Sequence, residues 1–270
     1  MADTQIISSR NNKLIVDCCK LKSKKYRDSA GLFFFEGKKL LKEAIKCGVR
    51  IKYLFFTDDD ISIDLPPQTE TIRVTRGVYE KISEEKSPEG LFCVAEHIDK
   101  LHKCDKIEGS DIFGELSGGK SYFIAESVRD PGNLGTIMRT ASAMGIDMLI
   151  LSSDCADIYN SKTVRAGMGA IFRQATYRVS DLPRVIGDLR AKKIKVYAAA
   201  LDKGSVSLSD IPSSDSKVCF AVGNEGHGLS DAVISACDKS VIIPMSGETE
   251  SLNVSAATAI LMWQERILNG

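Results

Sequence analysis

The chain has 270 residues, 43% of them hydrophobic, and its basic and acidic side chains balance at 36 each. That is material for one large or two ordinary packed domains, and no apolar run approaches the roughly 20 residues a membrane helix needs, which excludes a span. The eight cysteines form no CxxC pair and no zinc-spaced cluster, and there are only three histidines, so a disulfide framework and a multi-histidine metal site are excluded as well.

The balance hides an asymmetry. Residues 1–53 hold 13 basic and 5 acidic side chains, and residues 54–118 hold 7 and 15. The basic segment fits a nucleic-acid surface and equally a solvated helix face. Met1–Arg10 lacks the apolar core of a secretory signal, and the expected setting is a reducing cytoplasm.

In chain order, Ile6–Tyr26 has helical spacing of Leu14, Ile15, Cys18 and Leu21 among lysines and predicts one amphipathic basic helix. Leu32–Phe35 predicts a buried strand, Lys38–Cys47 a helix closed by Gly48, and Arg50–Thr57 a second strand. Asp58–Pro67 reads as a loop, Thr71–Thr75 as a strand and Gly77–Ile82 as a short helix. Ser87–Gly90 is a turn into the strand Leu91–Ala95. Residues 1–98 thus form a small α/β domain, and the charged stretch 99–119, with its Ser117-Gly118-Gly119, reads as a linker to a second domain over 120–270.

There strand and helix alternate: strands at Tyr122–Ala125, Asp147–Leu151, Ala175–Arg178, Lys195–Ala199, Lys217–Val222 and Val241–Ile243, and helices at Leu134–Met144, Ser161–Gly169, Leu182–Ala191 and from Val254 onward. Such alternation predicts a mostly parallel sheet with helices on both faces, and ligands at the carboxyl ends of its strands. Three polar or glycine-rich segments fall at strand ends. They are Glu126–Gly135 with Arg139, the loop Gly223–Ser230, and Ile243–Ser255. Taken alone, Asn133 is as readily a helix cap as a ligand contact, and Arg139 as readily a surface cation. The glycines fit neither GxGxxG nor GxxxxGK[ST], and GxSxG and HExxH are absent, which sets aside dehydrogenase, NTPase and serine-hydrolase readings.

In residue type, spacing and order, Asn133-Leu134-Gly135 with Arg139, Gly223-Asn224-Glu225-Gly226 with Gly228-Leu229, and Ile243-Pro244 with Ser251-Leu252-Asn253-Val254-Ser255 resemble the three motifs of SpoU-type RNA 2′-O-ribose methyltransferases. The resemblance implies an α/β SPOUT methyltransferase domain with a C-terminal trefoil knot, S-adenosylmethionine as cofactor, no metal, and a homodimer whose sites are completed across the interface. The apolar C-terminal helix, with Ile260, Leu261, Trp263 and Ile267, fits such a partner surface. It further implies catalytic roles for Asn133, Arg139, Glu225, Ser251 and Asn253, and cofactor contacts at Ala200, Gly223, Asn224, Gly228, Ile243 and Leu252. More loosely, Phe33–Gly37 with its basic helix and Ser87–Gly90 resemble the small ribosomal-protein-like RNA-binding domain that often precedes such domains, which gives the basic segment a role on RNA. Ribosomal RNA is the expected substrate, with transfer RNA methylation or a non-catalytic RNA-binding relative as alternatives. Gly167 stands where relatives often carry serine, and Ala175 where they often carry proline.

Overall fold

The structure is a computed structural model and describes residues 6–57, 63–104, 121–202, 204–212, 217–224, 226–247 and 251–269. Along the chain run α1 (Lys13–Lys20), α2 (Lys24–Ala30), β1 (Leu32–Glu36), α3 (Lys38–Lys46), β2 (Ile51–Phe56), β3 (Glu70–Arg73), α4 (Arg76–Ile82), β4 (Leu91–Glu96) and β5 (His102–Cys104). These lead to β6 (Tyr122–Ala125), α5 (Pro131–Met144), β7 (Met148–Ser152), α6 (Ser161–Ala166), β8 (Thr176–Val179), α7 (Leu182–Ala191), β9 (Lys195–Ala199), β10 (Val206–Ser207), β11 (Val218–Val222), α8 (Asp231–Ala236), β12 (Lys239–Ile242) and α9 (Val254–Asn269). The chain divides into two units, Met1–Ile98 with Asp157–Phe172, and Asp99–Ala156 with Arg173–Gly270.

In the first unit a four-stranded sheet has the order β1-β4-β2-β3, with β4 antiparallel to both neighbours and β2 parallel to β3. Phe33, Phe34 and Phe35 are each at most 2% exposed, and since side chains alternate along a strand, both faces of β1 must be covered. Phe34 stacks on Phe92 at 5.0 Å among Ile15, Cys18, Val78 and Ile82. Phe33 and Phe35 point the other way, onto Tyr159 at 4.7 Å and Phe172 at 5.2 Å. That aromatic cover is why residues 157–172, far along the chain, belong to this unit. The expected helix Ser161–Gly169 stops at Ala166, because Met168 and Gly169 take left-handed φ values of 47° and 86° before a 3₁₀ turn at Ala170–Phe172.

The single helix expected over Ile6–Tyr26 is two helices. Asn12 caps α1, its side chain accepting from the Leu14 amide at 2.9 Å, and the chain turns at Leu21–Ser23. The turn is held by Arg27, only 2% exposed, whose Nη1 donates to the carbonyls of Leu21 and Lys22 at 2.7 and 3.0 Å. Its Nη2 pairs with Asp157 at 2.5 Å. Periodicity counts that arginine with the surface cations; here its guanidinium answers the carbonyls a broken helix leaves behind.

In the second unit the described strands form an eight-stranded sheet of order β10-β12-β9-β11-β6-β7-β8-β5, every ladder parallel. Every residue of β6 and β11 is buried, the continuous apolar run of a strand covered on both faces. On one face α7 and α8 contribute Val185, Ile186, Leu189 and Val233 to a core with Ile124, Val196 and Ala221. α9 packs against α5 and β11. β5 starts within the stretch expected as a linker, and residues 105–119 of that stretch lie outside the described residues. No helix among the described residues is long and apolar enough to cross a membrane.

The last turn of α9 is docked by Asn269, whose side-chain amide exchanges two hydrogen bonds with the backbone of Val218, at 2.9 and 3.1 Å, as a neighbouring strand would. Beside it Glu265 is 2% exposed, and burial pushes its carboxyl up to about 7 despite the hydrogen bond from Asn269. The folded chain therefore holds a proton that the unfolded chain has released, so this group's contribution to stability falls as pH rises from about 4.5 towards 7 and is level above. Glu265→Gln should unfold at a higher temperature than the parent at pH 8, with the difference vanishing below about 4.5; thermal unfolding across that range measures it.

Candidate active site

Because every strand of the second sheet is parallel, their carboxyl ends share one edge, and the helices that follow β6, β11 and β12 start there. The amino termini of α5, α8 and α9 bring the positive ends of helix dipoles to that edge, an environment for anionic and polar ligand groups. The described residues of the three strand-end segments lie along it, with Arg139 further down α5.

Two of these loops are tied into one. Asn224 donates through Nδ2 to the carbonyl of Ser127 at 3.0 Å, and its Oδ1 accepts from the Gly226 amide at 2.7 Å. Glu126 accepts from the Ser230 hydroxyl at 2.7 Å and the Ser230 amide at 2.8 Å, and Ser230 in turn caps α8. Asn224 and Gly228 bond each other's backbone, N to O, at 3.1 and 2.8 Å, closing the glycine loop on itself. A Cβ on Gly223 would lie 2.1 Å from the Gly228 carbonyl carbon and oxygen, so backbone occupies the space of any side chain. Gly228 has φ +68°, the left-handed region that glycine enters without strain.

The β6 loop is braced from the other side as well. Ser127 has φ +54°, uncommon for a residue with a side chain, and its hydroxyl donates to Asp154 at 2.7 Å. Burial works against charge on Asp154, but hydrogen bonds from Ser152, Arg129 and Ser127 outweigh it and hold the carboxyl down at about 2. That acid stays ionised across the working pH range and fixes the loop rather than exchanging protons.

α5 begins at Pro131, three residues before the expected Leu134, and Asp130 is its cap, accepting from the Asn133 amide at 2.8 Å. Asn133 is therefore not the cap. Its Oδ1 accepts from Asn253 Nδ2 at 3.3 Å, so the starts of α5 and α9 meet through two residues named from the sequence. Arg139 lies six positions on, exposed, with no partner among the described residues; at 100° per residue it sits about 120° round the helix from Asn133. Within one chain the two do not face a common point. Ile243 follows the end of β12, Ala200 follows β9, and Ser251 and Leu252 are exposed just before α9. Glu225 lies outside the described residues. Leu201, Met245 and Leu252, at 86%, 42% and 37% exposed, add apolar surface to the same edge.

Glu126, Ser127 and Ser230 lie in segments singled out from the sequence but were given no role there, and Asp154 was not singled out. Ser230 before Asp231 carries a capping signal, but the partner of Glu126 is 104 positions away and follows only from β6 lying beside β11. The buried thiols offer no nucleophile, since burial pushes Cys18 and Cys237 up to about 12 and raises Cys155 and Cys219. Gly223→Ala should force the Gly228–Leu229 peptide out of place, lowering the unfolding free energy by about 2 kcal/mol or more and removing hydrogen-exchange protection at the Asn224 and Gly228 amides. Glu126→Ala should cost about 1–2 kcal/mol by leaving Ser230 without its acceptor.

A model of the SpoU rRNA Methylase family matches residues 120–263, and one of the MRM3-like substrate binding domain matches residues 12–93. The chain is similar to 23S rRNA (guanosine(2553)-2'-O)-methyltransferase RlmP of Bacillus subtilis, 33% identical over 97% of this chain and 99% of that one. It is also similar to mitochondrial rRNA methyltransferase 3 of Xenopus tropicalis, 28% identical over 90% of this chain and 71% of the relative. Among solved structures, the AdoMet-bound rRNA methyltransferase from Sinorhizobium meliloti superposes with a TM-score of 0.79 at 29% identity, covering 97% of each chain. With a family model matching more than half of its residues and a relative 33% identical over nearly its whole length, the chain belongs to the SpoU rRNA methylase family.

Proposed function

We propose that this protein transfers a methyl group from S-adenosylmethionine to a ribose 2′-hydroxyl of ribosomal RNA. The observation that carries the reading is the joining of the β6 and β11 loops by Asn224 and Glu126, which makes one preorganised surface of two motif segments. The residues fit the cofactor: the edge offers a backbone-lined glycine loop for its polar groups and Leu201, Met245 and Leu252 for its apolar ones. When bound, it supplies a methyl group activated on a sulfonium sulfur.

On this reading the chain's own residues bind, orient and exclude water. Gly223, Asn224, Gly228, Ile243, Leu252 and Ala200 hold the cofactor, largely through backbone groups. Asn133 and Asn253 orient the ribose, and Ser251 and Glu225 share the catalytic task that the resemblance assigns them. Arg139 grips the RNA phosphate with its planar fork. A guanidinium stays protonated in proteins and cannot take the hydroxyl proton, which passes to a phosphate oxygen or water.

The reading extends to a homodimer, a knotted carboxyl end and a cytoplasmic setting. Ile260, Trp263 and Ile267, at 39%, 55% and 56% exposed, form an i, i+3, i+7 row on the outer side of α9, an apolar face suited to a second copy. A partner chain would also bring a second Arg139, which answers the divergence of Arg139 from Asn133 in one chain. The return of α9 to α5 and β11 supports the knot, and the seven free cysteines among the described residues support a reducing compartment.

Single-turnover transfer of labelled methyl to an unmodified 23S ribosomal RNA transcript, with the product mapped for a 2′-O-methyl group, tests the function. Absence of transfer by folded protein with bound cofactor would leave a non-catalytic RNA binder. Arg139→Lys should lose most of the rate, ~100-fold, while binding cofactor as before; near-normal turnover would contradict the positioning role. Trp263→Glu should convert a dimer to a monomer in light scattering at micromolar concentration.

A further inference from the structure

The positive charge of residues 1–53 is not equally available along the segment. On α1 and α2, Lys20 pairs with Asp17 at 2.8 Å and Lys24 with Asp28 at 2.5 Å. Lys22 donates to the carbonyls of Lys81 and Ser83, both at 3.3 Å. On α4, Arg76 pairs with Glu80 at 3.2 Å. Lys13 and Lys25 apart, these helices answer their charges locally, in the i, i+3 and i, i+4 pattern of an ordinary solvated face.

α3 does not. Its buried residues Leu40, Leu41 and Ala44 occupy one side. At 100° per residue, Lys38, Lys39, Lys42 and Lys46 fall within a sector of roughly 100° on the opposite side, over about 12 Å of helix axis. All four are exposed, and none of their ammonium groups has a hydrogen-bond or ion-pair partner among the described residues. The one acid of the helix, Glu43, is half-buried at the margin, its stem so near Gly169 that a Cβ there would lie 3.2 Å from it. Lys38, Lys42 and Lys46 repel one another at i, i+4 spacing, an arrangement that works against the helix. The backbone amide of Lys38 is already bonded to Glu89 at 2.9 Å, so the helix end does not compete for whatever the lysines bind.

Resting on the reading of the chain as an RNA methyltransferase, we infer that the lysine face of α3 is the surface on which the first unit grips the RNA backbone, and that the four lysines of α1 and α2 are secondary to it. Ammonium groups are compact point charges, which suit phosphates and carry no base preference, so the face positions the RNA without reading its sequence. The unrelieved repulsion along α3 is relieved when phosphates occupy the row.

The test is filter binding of the full-length protein to an unmodified 23S ribosomal RNA transcript between 50 and 300 mM salt, with the triple variant Lys38→Gln, Lys42→Gln, Lys46→Gln. The plot of log affinity against log salt should flatten by about two to three units, and binding at 150 mM should weaken ~100-fold. The control Lys13→Gln, Lys24→Gln, Lys25→Gln should change the slope by less than about one. Calorimetric cofactor binding should stay at the parental value in both, the melting temperature of the α3 variant should not fall, and the single Lys42→Gln should remove about one unit of slope on its own. An unchanged slope in the α3 variants, or a larger loss in the control, overturns the assignment while leaving the methyltransferase reading intact. A parent protein that binds anionic vesicles but not the transcript would instead overturn both.

Discussion

The second unit's ligand edge depends on the contact of Gly223 with the Gly228–Leu229 peptide. There is no space between them for one methyl group, and the reciprocal bonds of Asn224 and Gly228 lock the approach. With the loop folded back this tightly, Asn224 is held where its amide reaches the Ser127 carbonyl and Ser230 where it meets Glu126. Two loops that follow adjacent parallel strands thereby become one rigid element, and the α5 start that carries Asn133 is set relative to the glycine loop before any ligand arrives. A reaction whose main demand is alignment benefits most from order established in advance.

The first unit shows the same economy with a different device. Its sheet needs cover on two faces, since β1 buries three consecutive phenylalanines, and the second cover comes from Tyr159 and Phe172 in the excursion between β7 and β8. The nearly buried Arg27–Asp157 pair fixes where that excursion starts, with the remaining guanidinium bonds spent on helix-end carbonyls. Buried ion pairs repay their desolvation only when every donor is used, and here the same side chain both ends α1's surroundings and anchors residue 157.

Much of this was legible in the sequence. The alternation of apolar strands and amphipathic helices from Tyr122 onward led to a parallel sheet, and the polar strand-end segments fall at its carboxyl edge, with Asn133 and Asn253 in contact. Long-range complements stayed hidden: Glu126 finds Ser230 only across the β6–β11 ladder, and Arg27 looks like one more surface cation until Asp157 is beside it. The break at Leu21–Ser23 was missed for the same reason, because local spacing continues through it while the tertiary partner decides. Asp130, not Asn133, was the cap because a proline follows it, a signal that was present but outweighed by the motif around Asn133.

In the proposed function the carboxyl edge of the second sheet holds S-adenosylmethionine through the backbone of two loops. Hydrogen exchange with and without the cofactor tests it most directly. Added protection should be concentrated at the amides of Gly226, Gly228 and Leu252, with the first unit unchanged. Protection confined to the first unit, or none anywhere at saturating cofactor, would contradict it.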